Sequence, residues 1–334
     1  MDSTDSQVVN RVVDWLNDEH NVYLVTVVQT WGSSPRPAGS MLAVREDGTP
    51  VGSVSGGCIE EHLIARLVKG EIAQTGPEIL LYGVTREEGE RFGLPCGGEI
   101  KLVVEKLGDP QPWRQLQACL TERKQLCRTL DLESGDSRLD NRQPAQTCQI
   151  IANQLVREFG PRWQLIIIGA GDLSRAVANV ALGLDYQVLI SEPRPEFAEN
   201  WDIPGTELSS EMPDDLIRQR AIDDHCAIVA LTHDPRYDDM ALMEALETKA
   251  FYVGALGSAR THDARLKRLA ELEVPADAIA RLRGPIGLPI GSHTPMEIAI
   301  SIAAELVAVR NDAALATREL APVLASRRDQ AAQG

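Results

Sequence analysis

A cysteine directly follows two glycines in the run from Ser53 to Glu60. Cys58 comes after Gly56 and Gly57, and an apolar pattern of helical spacing begins just beyond it. At the start of a helix, unpaired N–H groups and the helix dipole stabilise a thiolate and attract anions. The sequence therefore predicts a ligand-binding thiol at Cys58, and the alternative is a small buried hydrophobic residue.

A second cysteine lies beside another glycine pair. Cys96 precedes Gly97 and Gly98 in a loop that glycines allow to fold tightly. The common setting predicts that Cys58 and Cys96 belong to one shared site. Neither cysteine has the spacing of a structural zinc site, whereas contact of both thiolates with a soft metal stays open.

The segment 32–39 is too rich in proline and glycine to be a strand. It contains the hydroxyls of Ser33 and Ser34 and the guanidinium of Arg36, which together could bind an anionic group. An ordinary connecting loop is the alternative interpretation of this segment.

A nucleotide-binding pattern follows the apolar run 165–168. Gly169 and Gly171 open a predicted helix, where a close backbone approach and free N–H groups suit a pyrophosphate. Glu192 ends the next predicted strand 23 positions after Gly169, as expected of an acceptor for a ribose hydroxyl. Arg194 could offset a 2′-phosphate, or simply lie on the surface.

Two residues depart from the dinucleotide pattern. Ser174 replaces the third glycine, and Asp172 introduces a negative charge into the turn that should hold phosphate. Either change could weaken nucleotide binding. The alternative is a Rossmann-like unit that keeps the tight turn without using a dinucleotide.

Two further strand ends carry candidate binding residues. His233 follows the predicted strand 227–231, at the carboxyl edge where open α/β sheets bind ligands, and a solvated loop histidine is the alternative. Ser258 lies in a glycine-containing turn after the predicted strand 251–253 and could contact phosphate.

The pattern of elements predicts an α/β chain with two domains. Residues 1–106 are expected to form a compact α+β domain, and residues 107–160 a weakly patterned connecting segment. Residues 161–320 alternate apolar strands, glycine turns and amphipathic helices, which predicts a doubly wound parallel sheet of the Rossmann type. Residues 321–334 are expected to be a frayed tail.

Composition excludes several classes of function. Among 334 residues, 33 Lys and Arg stand against 49 Asp and Glu, a formal net charge of −16, so nucleic acid and anionic membranes are poor partners. The acidic N-terminus and the short apolar runs predict neither a signal peptide nor a membrane span. Six cysteines without CxxC pairs fit a reducing cytoplasm.

Seven motifs in this order resemble the XdhC/CoxI family of xanthine dehydrogenase accessory proteins. They extend from about residue 25 to residue 310 and comprise GSSPRPAG, GSVSGGCIEEHL, FGLPCGGEI, the Rossmann turn with EPRPEFA, LTHD, YVGALGS and PIGLPIGSHTPMEIAISIAAEL. The resemblance implies an N-terminal XdhC/CoxI domain followed by a Rossmann domain. It favours a cofactor-binding accessory protein over an enzyme.

The resemblance also implies a maturation chaperone that binds molybdenum cofactor (molybdopterin) and assists its sulfuration and insertion. The expected partners are an apo-molybdenum hydroxylase of the xanthine dehydrogenase type and a cysteine desulfurase, with a homodimer as the expected assembly. Cys58 and Cys96 would contact or guard the molybdenum, and Ser33, Ser34 and Arg36 would lie near the pterin phosphate.

Two other functions stay open on the sequence. An NAD(P)-dependent oxidoreductase would use Gly169, Gly171 and Glu192, with His233 as its acid–base group. A non-catalytic adaptor of the molybdoenzyme would use the glycine loops only as a docking surface.

Overall fold

The chain forms two compact units, Met1–Arg162 and Trp163–Gly334. The computed structural model describes residues 4–31, 36–83, 99–141 and 147–313. The expected frayed tail 321–334 lies outside these residues. Within them, no helix is both long and apolar enough to cross a membrane.

The first unit contains a five-stranded antiparallel sheet in the order β3-β2-β1-β5-β4. Its strands are β1 (Val22–Trp31), β2 (Met41–Arg45), β3 (Pro50–Gly52), β4 (Glu78–Tyr82) and β5 (Glu99–Leu107). The tight turn between β2 and β3 forms at Asp47-Gly48, because Gly48 adopts a φ of +88° and the Asp47 carboxylate accepts the Thr49 N–H.

Helices cover both faces of this sheet. The helices of the unit are α1 (Thr4–Asn17), α2 (Cys58–Val68) and α3 (Gln111–Thr121). Side chains alternate along β1, so Val25 and Val27 pack with the Ile59 face of α2, whereas Leu24 packs with α1 and α3. Burial of each such side chain stabilises the fold by about 1.5–3 kcal/mol.

Residues 107–160 are not the connecting segment that was expected. Besides α3 they form a second antiparallel sheet, in the order β7-β6-β9-β8. Its strands are β6 (Leu126–Asp131), β7 (Ser137–Asp140), β8 (Cys148–Ile151) and β9 (Gln154–Phe159). A buried bidentate ion pair between Arg128 on β6 and Glu105 on β5, at 2.7 Å, joins the two sheets.

The second unit is a six-stranded parallel sheet of the expected Rossmann type. Its strands are β10 (Gln164–Ile168), β11 (Gln187–Ser191), β12 (Thr206–Ser209), β13 (Cys226–Ala230), β14 (Tyr252–Ala255) and β15 (Leu282–Arg283). The order β12-β11-β10-β13-β14-β15 is that of a dinucleotide-binding fold, with its reversal between β10 and β13.

Helices pack on both faces of the parallel sheet. They are α4 (Asp172–Gly183), α5 (Pro195–Ala198), α6 (Pro213–Gln219), α7 (Pro235–Glu247), α8 (Ala259–Glu271), α9 (Ala276–Ile279) and α10 (Pro295–Arg310). Leu165 and Ile167 of β10 point into one core, and Ile166 and Ile168 into the other. Such burial on both faces explains the continuous apolar run of this strand.

Candidate functional site

Cys58 is the first residue of α2 and is exposed to solvent. Gly57 precedes it as the N-cap, and Gly56 adopts a φ of +80° that favours glycine. A Cβ atom added to either glycine would meet no described atom within 4 Å, so the backbone before Cys58 is open on one side. Cys58 is thus an accessible thiol at a helix start, and its role as a ligand stays a prediction.

The loop before Cys58 is organised by a glutamate that lies outside the predicted set of site residues. One carboxylate oxygen of Glu60, Oε1, accepts the Ser53 hydroxyl at 2.6 Å. It also accepts the N–H groups of Val54, Ser55 and Gly56, at 2.8 to 3.1 Å. These loop N–H groups are therefore occupied by Glu60 and are not free for an anionic ligand.

The first turn of α2 is consequently less electropositive than the motif suggested. Glu60 and Glu61 both lie in it. Burial pushes the pKa of Glu60 up, but the hydrogen bonds from Ser53 and the loop N–H groups outweigh burial, so its pKa is lowered and the carboxylate stays charged. Near Cys58, the favourable helix dipole is opposed by two carboxylates.

A histidine lies one turn further along α2, next to a tyrosine on β4. His62 is four residues after Cys58, so both side chains leave the same face of the helix. The Nδ1 of His62 is 3.1 Å from the hydroxyl of Tyr82 on β4, and the two rings meet edge to face at 5.7 Å. A histidine four residues after the candidate thiol is the sequence signal that could have pointed to this pair.

The other described cysteines have different surroundings. Cys127, Cys148 and Cys226 are buried, and Cys119 is partly buried. Burial raises the pKa of Cys148 to about 11, although Arg157 acts in the opposite direction. Of the described cysteines, only Cys58 is exposed, so its thiol is accessible to an external molecule.

Several predicted site residues lie outside the described part of the chain. They are Ser33, Ser34, Cys96, Gly97 and Gly98. Arg36 is described and lies exposed in a bend before β2. The shared site of Cys58 and Cys96 therefore stays a prediction.

In the second unit, two turns meet at the point where the strand order reverses. Gly169 follows β10 with a φ of +102°, and a Cβ atom added to it would lie 2.8 Å from Cγ2 of Thr232, which follows β13. Gly171 is the N-cap of α4. The first glycine is thus required by the close approach of the turn after β13, whether or not a ligand binds.

The side chains of Glu192 and Arg194 pair with each other. The Glu192 carboxylate is fully buried and accepts four hydrogen bonds. They come from the N–H of Ala170, the N–H of Arg194 and the Nε and Nη2 of Arg194, at 2.7 to 3.1 Å. Burial pushes the pKa of Glu192 up, but these partners outweigh it and lower the pKa, so the group stays ionised.

The two departures from the glycine pattern have different surroundings. Asp172 begins α4 and is exposed. Ser174 is buried, and among the described residues its hydroxyl has no hydrogen-bond partner. Substitution of the third glycine therefore leaves a polar atom inside the helix–sheet contact.

His233 adopts a left-handed φ of +63° in the turn between β13 and α7 and is exposed. Residues on both sides fix this turn. Asp238 of α7 accepts the N–H and the hydroxyl of Thr232, and Asp234 caps α7 by accepting the Arg236 N–H. The turn presents His233 at the carboxyl edge of the sheet, as predicted.

A buried charge network lies behind the turns after β13 and β14. Burial raises the pKa of Asp238, and the guanidinium of Arg265 lies 3.3 Å from this carboxylate. Arg265 also donates to the Leu256 carbonyl, at the start of the turn that carries Ser258. The Ser258 hydroxyl itself accepts the Thr261 N–H as the N-cap of α8, so helix capping competes with the predicted phosphate contact.

Comparison with known proteins places these observations in a family. The profile described as XdhC and CoxI family matches residues 15–83, and the profile described as XdhC Rossmann domain matches residues 165–306. The chain belongs to the XdhC/CoxI family. Cys58 lies in the part matched by the first profile, and Glu192 and Arg194 lie in the part matched by the second.

Two relatives of this XdhC/CoxI-family chain are similar over most of their length. The molybdenum cofactor insertion chaperone PaoD of Escherichia coli is 29% identical over 312 residues, covering 91% of this chain and 88% of the relative. A probable xanthine dehydrogenase subunit of Bacillus subtilis is 26% identical over 327 residues, covering 90% and 96% respectively.

A crystal structure shares the fold of this XdhC/CoxI-family chain. It is described as a xanthine dehydrogenase from Bacillus halodurans and has a TM-score of 0.74 at 24% identity, covering 94% of this chain and 98% of the other. This similarity concerns the fold alone.

Proposed function

We propose that this chain is a maturation chaperone that binds molybdenum cofactor and delivers it to an apo-molybdenum hydroxylase of the xanthine dehydrogenase type. In this role it holds the cofactor while a partner cysteine desulfurase supplies the terminal sulfur. Family membership and the similarity to a relative described as a molybdenum cofactor insertion chaperone support the proposal.

The exposed thiol of Cys58 is the observation that carries the proposal. Molybdenum is a soft metal in this cofactor, and a thiolate is a soft ligand. Cys58 lies exposed at the start of a helix, and open glycine backbone precedes it. The cofactor is the cargo here, so the thiol is expected to hold it reversibly.

The hydrogen bonds of Glu60 bear on which N–H groups could bind an anionic phosphate of the cargo. Because Glu60 takes the N–H groups of residues 54–56, the loop itself is a poor receptor. The first-turn N–H groups of Cys58 and Ile59 have no carbonyl one turn back within α2. We expect these two groups and the predicted Arg36 to serve the anionic end.

Activation of a target enzyme tests the proposal. Purified full-length protein is loaded anaerobically with molybdenum cofactor and mixed with an apo-enzyme of the xanthine dehydrogenase type, and the hydroxylase activity that develops is measured. We expect Cys58→Ser to lower this activity about tenfold or more, since one charged ligand contact is lost.

Cys119→Ser is the matched control, because Cys119 is also a free cysteine but lies partly buried on α3. It should activate the target like the unmodified chain. Equal activation by Cys58→Ser and Cys119→Ser would contradict the proposal and favour an adaptor whose glycine loops only dock onto the target.

A further inference from the structure

The turn after β10 has the position and strand order of a dinucleotide site. In such sites an acidic residue at the end of the second strand accepts hydrogen bonds from the adenosine ribose diol. Glu192 directly follows β11 and stands where that acceptor is expected. Whether its lone pairs are available decides whether a ribose can bind.

Hydrogen bonds within the protein already use the acceptor capacity of Glu192. A carboxylate offers about four lone-pair positions, and Glu192 accepts four hydrogen bonds. Three of the four come from Arg194, two of them as a bidentate pair with its guanidinium. Charge-assisted bonds of this kind are about twice as strong as those from neutral hydroxyls, so a ribose diol is a weak competitor.

The guanidinium of Arg194 also contacts two aromatic rings. Its central carbon lies 4.2 Å from the ring centroid of Phe197 and 5.1 Å from that of Tyr237. These cation–π contacts help to hold the guanidinium beside the carboxylate. Displacing Arg194 would break these contacts and leave the Glu192 charge buried without its partner.

The surrounding charges also oppose a pyrophosphate. Asp172 is exposed at the first position of α4, where the phosphates of a dinucleotide would lie. The neighbouring positive charge of Arg236 is already paired with Asp234. The unmodified turn thus offers no favourable partner to the ribose or to the pyrophosphate of a dinucleotide.

We propose that Arg194 closes the turn after β10 to the adenosine ribose of nicotinamide dinucleotides, and that removing this side chain opens the turn to NADH. The XdhC/CoxI Rossmann unit of this chain then retains the fold and lacks dinucleotide binding. This inference concerns the second unit and stands independently of the cofactor proposal for Cys58.

Titration of the full chain with NADH, followed by NADH fluorescence at pH 8, tests the inference. The unmodified chain should show no saturation up to millimolar NADH. Arg194→Ala frees Glu192 and should bind NADH about tenfold or more tightly than the unmodified chain, as expected for hydrogen bonds to a charged group. NADPH should not gain, because its 2′-phosphate would meet the freed carboxylate.

Arg236→Ala is the matched control, since it removes a nearby arginine that pairs with Asp234 and not with Glu192. It should behave like the unmodified chain. If circular dichroism shows that Arg194→Ala is unfolded, Arg194→Gln, which replaces the charged guanidinium by a shorter, neutral amide, takes its place with the same expectation. Saturable NADH binding by the unmodified chain, no gain in the folded variant, or an equal gain for NADPH would each overturn the inference.

Discussion

The thiols of Cys58 and Cys148 show how surroundings decide what one residue type can do. Cys58 is exposed at the start of α2, whereas Cys148 is buried on β8 and its sulfur is 3.5 Å from the Val27 carbonyl. Burial raises the pKa of Cys148 to about 11. At neutral pH, Cys148 is therefore a packing residue, and Cys58 is the thiol available to a ligand.

Titration of Cys148 predicts a loss of stability at alkaline pH. Between pH 9.0, its ordinary pKa, and about pH 11, the unfolded chain releases the Cys148 proton while the folded chain keeps it. The folded chain binds more protons in this window, so stability falls as pH rises, by up to about 2–3 kcal/mol in total.

Urea unfolding at several pH values between 8 and about 11 measures this effect. The free energy of unfolding of Cys148→Ala should lack this part of the decline with pH. Because tyrosines titrate in both proteins, their contributions cancel when the two pH dependences are subtracted. Parallel pH profiles for the two proteins would show that Cys148 does not titrate as expected.

Single residues also show where prediction from sequence succeeds and fails. The thiol of Cys58 at a helix start was predictable, because the GGC run and the helical periodicity are both local. The pairing of Glu192 with Arg194 was not, because the spacing that suggests a ribose acceptor says nothing about which donor reaches the carboxylate first. The same two residues could form a ribose-binding site or an internal ion pair.

At the scale of elements, Glu60 fixes the loop that leads into α2. It is the third residue of the helix and reaches back to the loop, like the acidic member of a capping box whose first position is the glycine Gly57. A glutamate three residues after the N-cap therefore indicates a contact between its side chain and the preceding loop. The sequence could not predict that one oxygen atom of this glutamate would accept four hydrogen bonds.

Loss of the Glu60 carboxylate should loosen this loop. In Glu60→Ala, the N–H groups of Val54, Ser55 and Gly56 lose their acceptor. The loss should cost about 1–3 kcal/mol, because the donors of Val54 and Ser55 are partly buried and become unsatisfied. Hydrogen-exchange mass spectrometry should report faster exchange in peptides that cover residues 53–58.

Glu61→Ala is a suitable comparison, since it removes the same charge from the same turn of α2. Its exchange in these peptides should match that of the unmodified chain. Equal exchange in Glu60→Ala and Glu61→Ala would mean that the carboxylate of Glu60 does not organise the loop.

Other elements also differ in how well the sequence predicts them. The capping box at Thr294 and Glu297 can be read from the sequence, because all its atoms lie within one turn, and the structure contains it. The strands β7 and β8 were missed. Each has only four residues and pairs with the strand next to it in sequence, and the polar composition between them favoured a linker.

At the scale of the whole molecule, the buried pair of Glu105 and Arg128 makes the region 107–160 part of the first unit. Their side chains are 5% and 7% exposed, and the Arg128 guanidinium also lies 4.9 Å from the centre of the Trp113 ring on α3. Because the pair is buried, loss of either side chain would leave the other charge buried without a partner.

Removing one partner should destabilise the first unit strongly. Glu105→Ala leaves the Arg128 charge buried, and we expect the free energy of unfolding to fall by about 3–5 kcal/mol. Urea unfolding measures the change. Glu122→Ala, which breaks the exposed pair with Lys124, should have no measurable effect, and a similar loss in both variants would contradict the role assigned to the buried pair.

The net charge of −16 also belongs to this scale. An acidic chain gains nothing from long-range attraction to an anionic cofactor, so binding must come from contacts at short range. For the proposed function we expect those contacts, among the described residues, to centre on Cys58 and the first turn of α2, because the loop N–H groups already donate to Glu60 and the pair of Glu192 and Arg194 is internally satisfied.

Retention of the cargo by the purified chain is the decisive measurement for the proposed role of Cys58. The full chain is incubated anaerobically with released molybdenum cofactor and passed through gel filtration, and molybdenum and pterin are measured in the protein fraction. We expect both to co-elute with the unmodified chain and with Cys119→Ser, and Cys58→Ser to lose most of the molybdenum. Absence of both from the unmodified chain, or full retention by Cys58→Ser, would contradict this role.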